Sequence, residues 1–179
     1  MLSQVTLDAI LQAREIVDRT ARYTPLLSSI RCSDLLGFPV HFKLENLQRT
    51  GSFKIRGASY KLAKLAAGGE TQAVMAISAG NHAQGVALAS RLNGIRATVF
   101  MPENAPLSKI QATKSYGAEV ICRGQTFDET HEFAMEWLES NPVAFISPFD
   151  DDDIITGQGS CGLEILEQLP EVKTLVVPV

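Results

Sequence analysis

The sequence predicts an α/β fold, with mainly parallel, twisted sheets and helices flanking both faces. Two observations carry that prediction. Short apolar runs at residues 73–78, 97–101 and 143–146 lack polar alternation, the pattern of strands buried on both faces. Longer stretches of helical period separate them, so strand and helix alternate along the chain.

Taken in order, Leu7, Ile10, Leu11, Ile16 and Val17 mark an amphipathic N-terminal helix, followed by a Thr24-Pro25 break. Residues 40–44 are a strand candidate. Gly51 and Ser52 read as a turn and N-cap for a helix running to about Ala66. The strand at 73–78 turns into a helix through Val86 and Leu92, with Gly94 where a C-terminal cap belongs. After the strand at 97–101, a helix near residues 106–116 ends at Gly117, and residues 119–122 form the next strand. Phe127, Phe133, Ala134, Trp137 and Leu138 share one helix face, with Trp137 expected in the core. The strand at 143–146 precedes a helix over about 154–168, and residues 174–179 read as a last buried strand.

Two runs carry chemistry. The first, Thr50-Gly51-Ser52-Phe53-Lys54-Ile55-Arg56-Gly57-Ala58, places an amine in the first turn of a helix. The positive end of the helix dipole and burial both disfavour an ammonium, and Arg56 is expected to act in the same direction. A neutral lysine is what Schiff-base chemistry requires. Read alone, such a lysine equally suits a solvated helix face. The second run, Ser78-Ala79-Gly80-Asn81-His82-Ala83-Gln84-Gly85, turns a strand into a helix. Its backbone N–H groups point out of a helix N-terminus, a ready site for a carboxylate or phosphate. Alone it also reads as a tight structural turn with a capping Asn.

Both runs resemble those of the fold-type II (tryptophan synthase β-like) pyridoxal-phosphate enzymes, within them the threonine/serine dehydratase group, with serine racemase as a near neighbour. Residues 42–50 (FKLENLQRT), Met101-Pro102 and Gly157-Gln158-Gly159 add to the likeness, which runs from about Thr6 to Val179. The resemblance implies pyridoxal 5'-phosphate as cofactor and L-threonine or L-serine as substrate. Lys54 would hold the cofactor as a Schiff base and later remove the substrate α-proton. Phe53 would lie near the cofactor ring, and Asn81 would hydrogen-bond the ring hydroxyl. Ser78, Ala79, Gly80, Asn81 and His82 would hold the substrate carboxylate through their amides. Loss of the β-hydroxyl would then give 2-oxobutanoate or pyruvate and ammonia. Racemase-like members carry a serine at the second position of the turn as an acid-base; Ala79 has no titratable atom, which favours elimination. The resemblance further implies a cytoplasmic homo-oligomer working in isoleucine biosynthesis or threonine catabolism.

In the family, a strand like residues 174–179 leads into a glycine-rich loop that cradles the cofactor phosphate. Here the sequence stops at Val179, so it is expected to be a truncated N-terminal half. The alternatives are a serine racemase-like enzyme and a non-catalytic remnant of the family. Three segments are expected: residues 1–49 from the larger domain, 50–153 as a small α/β domain, and 154–179 returning to the larger one. Without the rest of that domain, exposed apolar strands would favour association or aggregation.

Composition narrows the class. With 45% hydrophobic and 20% charged residues and a net charge of −4, no basic footprint for nucleic acid or an anionic membrane is present. No apolar run reaches the roughly 20 residues of a membrane span. Cys32, Cys122 and Cys161 read as reduced thiols, and no metal site is expected. The Asp150-Asp151-Asp152-Asp153 run reads as a solvated turn capping the next helix rather than a cation site. His41 and His131 lack partners at catalytic spacing.

Overall fold

The computed structural model describes residues 5–69 and 71–177. Helix α1 (Leu7–Val17) is capped by Thr6, whose side chain accepts from the Ala9 N–H. A small antiparallel sheet follows, β1 (Leu26–Ser28) paired with β2 (His41–Lys43), with helix α2 (Ile30–Leu36) between them. Ser29 caps α2 and Gly37 ends it in the left-handed region at φ 77°. A single 3-10 turn (Glu45–Leu47) leads to α3 (Lys54–Gly68).

The parallel unit is β3 (Ala73–Ile77), α4 (Asn81–Leu92), β4 (Arg96–Met101), α5 (Leu107–Ser115), β5 (Glu119–Cys122), α6 (Phe127–Ser140) and β6 (Ala144–Phe145). Its sheet order is β5-β4-β3-β6, parallel throughout. Helix α7 (Asp152–Gln168) closes the described fold. The expected α/β class with a mainly parallel sheet is the fold observed.

The core lies between the sheet and its helices. Ile55, Ala58 and Leu62 of α3 meet Ala83, Val86 and Ala87 of α4 over Val74, Ala76 and Val99 of the sheet. On the other face, Met75, Ile77 and Phe100 pack with Ala134, and Trp137 meets Phe100 edge-on at 5.5 Å. Burial of these side chains is the main favourable contribution to folding.

Helix α3 is held on two sides. A methyl carbon added at Gly85 would lie 3.2 Å from the Lys54 carbonyl group, so α4 passes directly behind the first turn of α3. One added at Gly157 would come within 2.8 Å of Gly57 Cα, so α7 and α3 cross backbone to backbone. Charges fix the same helix. The fully buried Arg56 donates to both oxygens of Glu45 (2.8 and 2.8 Å) and both of Glu164 (2.6 and 3.0 Å). Lys43 completes the network at 2.5 Å from Glu164.

Several expectations are corrected. The sequence pattern does not mark β1, its antiparallel pairing with β2, or α2. Ser52 is not the N-cap of α3: Phe53 holds that position, and Ser52 Oγ accepts only a long 3.4 Å bond from the Lys54 N–H. Residues 174–177 have no ladder partner among the described residues and form no strand, because a strand exists only where a neighbour pairs with it. Pro178 and Val179 lie outside the described residues. Exposed apolar side chains do occur on the small sheet and its helix, as with Leu27, Phe42 and Leu35, the last 82% exposed.

Candidate active site

Parallel strands of this kind present their carboxyl ends to ligands, and the cleft lies at such an end. Strand β3 runs out at Ile77, where the Ser78 N–H donates to the Phe100 carbonyl at 3.0 Å and ties the turn to β4. The next residues wrap over the start of α4. No side chain caps that helix, so its first-turn N–H groups remain directed at the cleft. A cavity of about 440 Å³ opens there, lined by Lys54, Ser78, Ala79, Gly80, Asn81 and His82, with Ile77, Phe127, Pro148 and Phe149 completing its walls. That volume is in the range of small-molecule sites.

The Lys54 amine reaches the cleft from the first turn of α3. It donates to the Pro148 carbonyl at 3.2 Å and lies 5.4 Å from the Phe53 ring centre and 5.7 Å from that of Phe149. Burial pulls its pKa below the ordinary lysine value. Arg56 does not contribute, contrary to expectation, because its guanidinium points away into the ion network with Glu45 and Glu164.

His82 is 3% exposed, and its Nε2 lies 3.0 Å from the Ile146 carbonyl. A carbonyl only accepts, so Nε2 carries the proton. Burial pushes its pKa down to about 4, the carbonyl opposes that shift, and the Lys54 charge adds to it. Asn81 accepts at Oδ1 from the Lys109 ammonium at 3.2 Å.

Five of the six other expected residues (Ser78, Ala79, Gly80, Asn81 and His82) therefore line one cleft with Lys54. Phe53 is close to the amine but is not part of the lining. Sequence reasoning missed Pro148 and Phe149, although they follow β6 at a strand's carboxyl end, the signal that could have found them. Phe127, expected on a core-facing helix stripe, is 49% exposed and borders the cleft instead. The aspartate run behaves as expected of a cap: Asp151 accepts from the Asp153 and Ile154 N–H groups, and Asp153 pairs with Lys61 and Lys64. No group of three or more His, Cys, Asp or Glu suited to a metal occurs among the described residues.

Residues 17–179 match the family described as pyridoxal-phosphate dependent enzyme. The chain belongs to this family. Among relatives of this chain, an L-threonine ammonia-lyase of Thermotoga maritima is 48% identical over 175 residues, covering 98% of this chain and 44% of its own length. Among solved structures, a T.th. threonine deaminase matches with a TM-score of 0.84 at 42% identity, over 92% of this chain and 52% of that one. Maize serine racemase matches with a TM-score of 0.88 at 35% identity, over 93% and 51%. The chain spans about half the length of the curated relatives it matches.

The cleft fits the family's cofactor on its own chemistry. It offers an amine shifted toward its neutral form for an aldehyde, amides for an anionic group, and apolar walls for an aromatic ring.

Proposed function

We propose that this chain is the N-terminal half of a threonine/serine dehydratase, an ammonia-lyase that eliminates the β-hydroxyl of L-threonine or L-serine to give a 2-oxo acid and ammonia. The observation that carries this reading is Lys54 Nζ facing the uncapped Ser78–His82 turn across one cleft. The names and identities of relatives called threonine ammonia-lyase and threonine deaminase support it.

Bound pyridoxal phosphate supplies an aldehyde for exchange with the substrate amine and an electron sink when the Cα–H bond breaks. Lys54 would hold that aldehyde and, once released, would take the α-proton at Nζ; the Pro148 carbonyl holds the resting amine. Amides at the start of α4 would hold the substrate carboxylate, which a helix N-terminus favours. Asn81 would contact the ring hydroxyl. His82 stays neutral and fixed by Ile146, so it contributes its backbone rather than a proton. Phe53 and Phe149 flank the amine.

Likeness to maize serine racemase favours a second reading, racemisation. Ala79 speaks against it, because no hydroxyl stands at that position of the turn. A small domain over residues 50–153, between segments of a larger one, is also part of our reading; the core that joins Ile55 to Ile146 continues into Ile154 of α7. So is a homo-oligomeric parent in the cytoplasm; three free thiols among the described residues support a reducing compartment.

The experiment is to add pyridoxal phosphate to the purified chain, trap the visible lysine adduct with borohydride and map it by peptide mass. An adduct at Lys54, absent in Lys54→Ala, is the expected result. Labelling spread over surface lysines would sink the site assignment. In a full-length chain, D-serine formed from L-serine in excess of pyruvate would replace elimination by racemisation.

A further inference from the structure

Lys109 makes a charged contact with a cleft residue, Asn81, that the proposed reaction leaves unused. It sits in the first turn of α5, on the connection that follows β4, and its ammonium reaches across to α4 to donate to Asn81 Oδ1 at 3.2 Å. An ammonium has donors and no acceptor, so the amide oxygen must be the atom that faces it. That fixes an orientation which the amide by itself leaves open, since its oxygen and nitrogen branches have the same shape. With Oδ1 turned to Lys109, the branch that Asn81 directs the other way is its NH2, a group with two donors.

We propose that Lys109 is a positioning residue that makes Asn81 a hydrogen-bond donor at the cofactor ring oxygen, so that the site favours that oxygen in its deprotonated form. This rests on the proposed contact between Asn81 and the ring hydroxyl. A neutral hydroxyl could donate to or accept from a freely turning amide. An amide whose oxygen is turned to Lys109 presents its NH2 on the other side, and a donor is best matched by an oxygen that has lost its proton. The Lys109 charge, one side chain away, acts in the same direction. Lys54 and His82 are the titratable groups lining the cleft among the described residues, and His82 is held neutral, so the contrast between Lys109 variants reads the Asn81 contact.

The test compares the unmodified chain, Lys109→Met and Lys109→Arg. Loaded with pyridoxal phosphate, each is scanned across pH for the visible band of the adduct with a deprotonated ring oxygen and the near-ultraviolet band of its protonated tautomer. Lys109→Met is expected to lower the visible-to-near-ultraviolet ratio several-fold at each pH. Lys109→Arg, which also has donors only, is expected to restore it. A Lys109→Met spectrum that superimposes on the unmodified one at every pH overturns the proposal. The Asn81 side-chain amide, followed by nitrogen–proton NMR without cofactor, gives an independent readout. Its resonances should move in Lys109→Met and return in Lys109→Arg, and resonances indifferent to both changes also overturn the proposal. Failure of the unmodified chain to load at Lys54 would defeat the reading of Lys54, while the Asn81 resonances would still decide the orienting contact.

Discussion

The His82 imidazole donates from Nε2 to the Ile146 carbonyl, and its Nδ1 has no hydrogen-bond partner among the described residues. Burial therefore makes a second proton expensive, and the pKa falls from 6.5 to about 4. The unfolded chain binds that proton more readily than the folded one, so the stability at stake is fully present above pH 6.5. It is lost as pH falls from there toward about 4, up to roughly 3 kcal/mol at 1.36 kcal/mol per unit. Urea unfolding at a series of pH values should show that slope, and His82→Gln, which keeps a donor for Ile146, should flatten it. An equally steep slope in the variant would assign the acid sensitivity to other groups. Lys54 was legible at this scale because its run is short and local. The direction of Arg56 was not, since its partner Glu164 lies 108 residues away and nothing near Arg56 in the sequence points to it.

Among the elements, α3 is the one whose placement decides the site. Gly157 of α7 lets that helix approach it more closely than a side chain would allow without a shift, and Gly85 of α4 makes a second, slightly looser approach. Gly157→Ala would force a methyl to within 2.8 Å of Gly57 Cα and 2.9 Å of the Arg56 carbonyl, both backbone atoms that cannot turn aside. The expected cost is about 1–3 kcal/mol or more, read as a lower urea midpoint at unchanged slope. An alanine variant as stable as the parent would mean that the crossing is looser than described. The sequence already carried the alternation of strands and helices here, because apolar runs and helical stripes are local patterns. It could not carry the β1–β2 pairing, which depends on Leu26 meeting Lys43 across α2. The Gly157-Gln158-Gly159 run shows the same limit. It belongs to no dinucleotide loop, and it acquires meaning only where α7 meets α3: Gln158 Oε1 accepts from the Gly57 N–H at 3.1 Å.

Across the whole molecule, α7 is what gathers the chain. It packs on α1 and α3, its Glu167 forms an ion pair with Arg14, and its Glu164 is shared by Arg56 and Lys43. Removing one charge from such a buried network costs about 3–5 kcal/mol, because the partners remain buried and unpaired. For Glu164→Gln the manner of the loss matters as much as its size. Glu164 is 108 residues from Arg56 and 121 from Lys43, so these contacts close only after very long loops have closed. Local turns and the β3-α4-β4 unit can assemble long before that. The network therefore acts as a latch set late in folding and lifted early in unfolding. Stopped-flow measurements on Glu164→Gln should find refolding nearly as fast as in the parent and unfolding faster by almost the full stability loss. The lifetime of the folded chain, rather than the ease of reaching it, is then what this cluster of four charges governs.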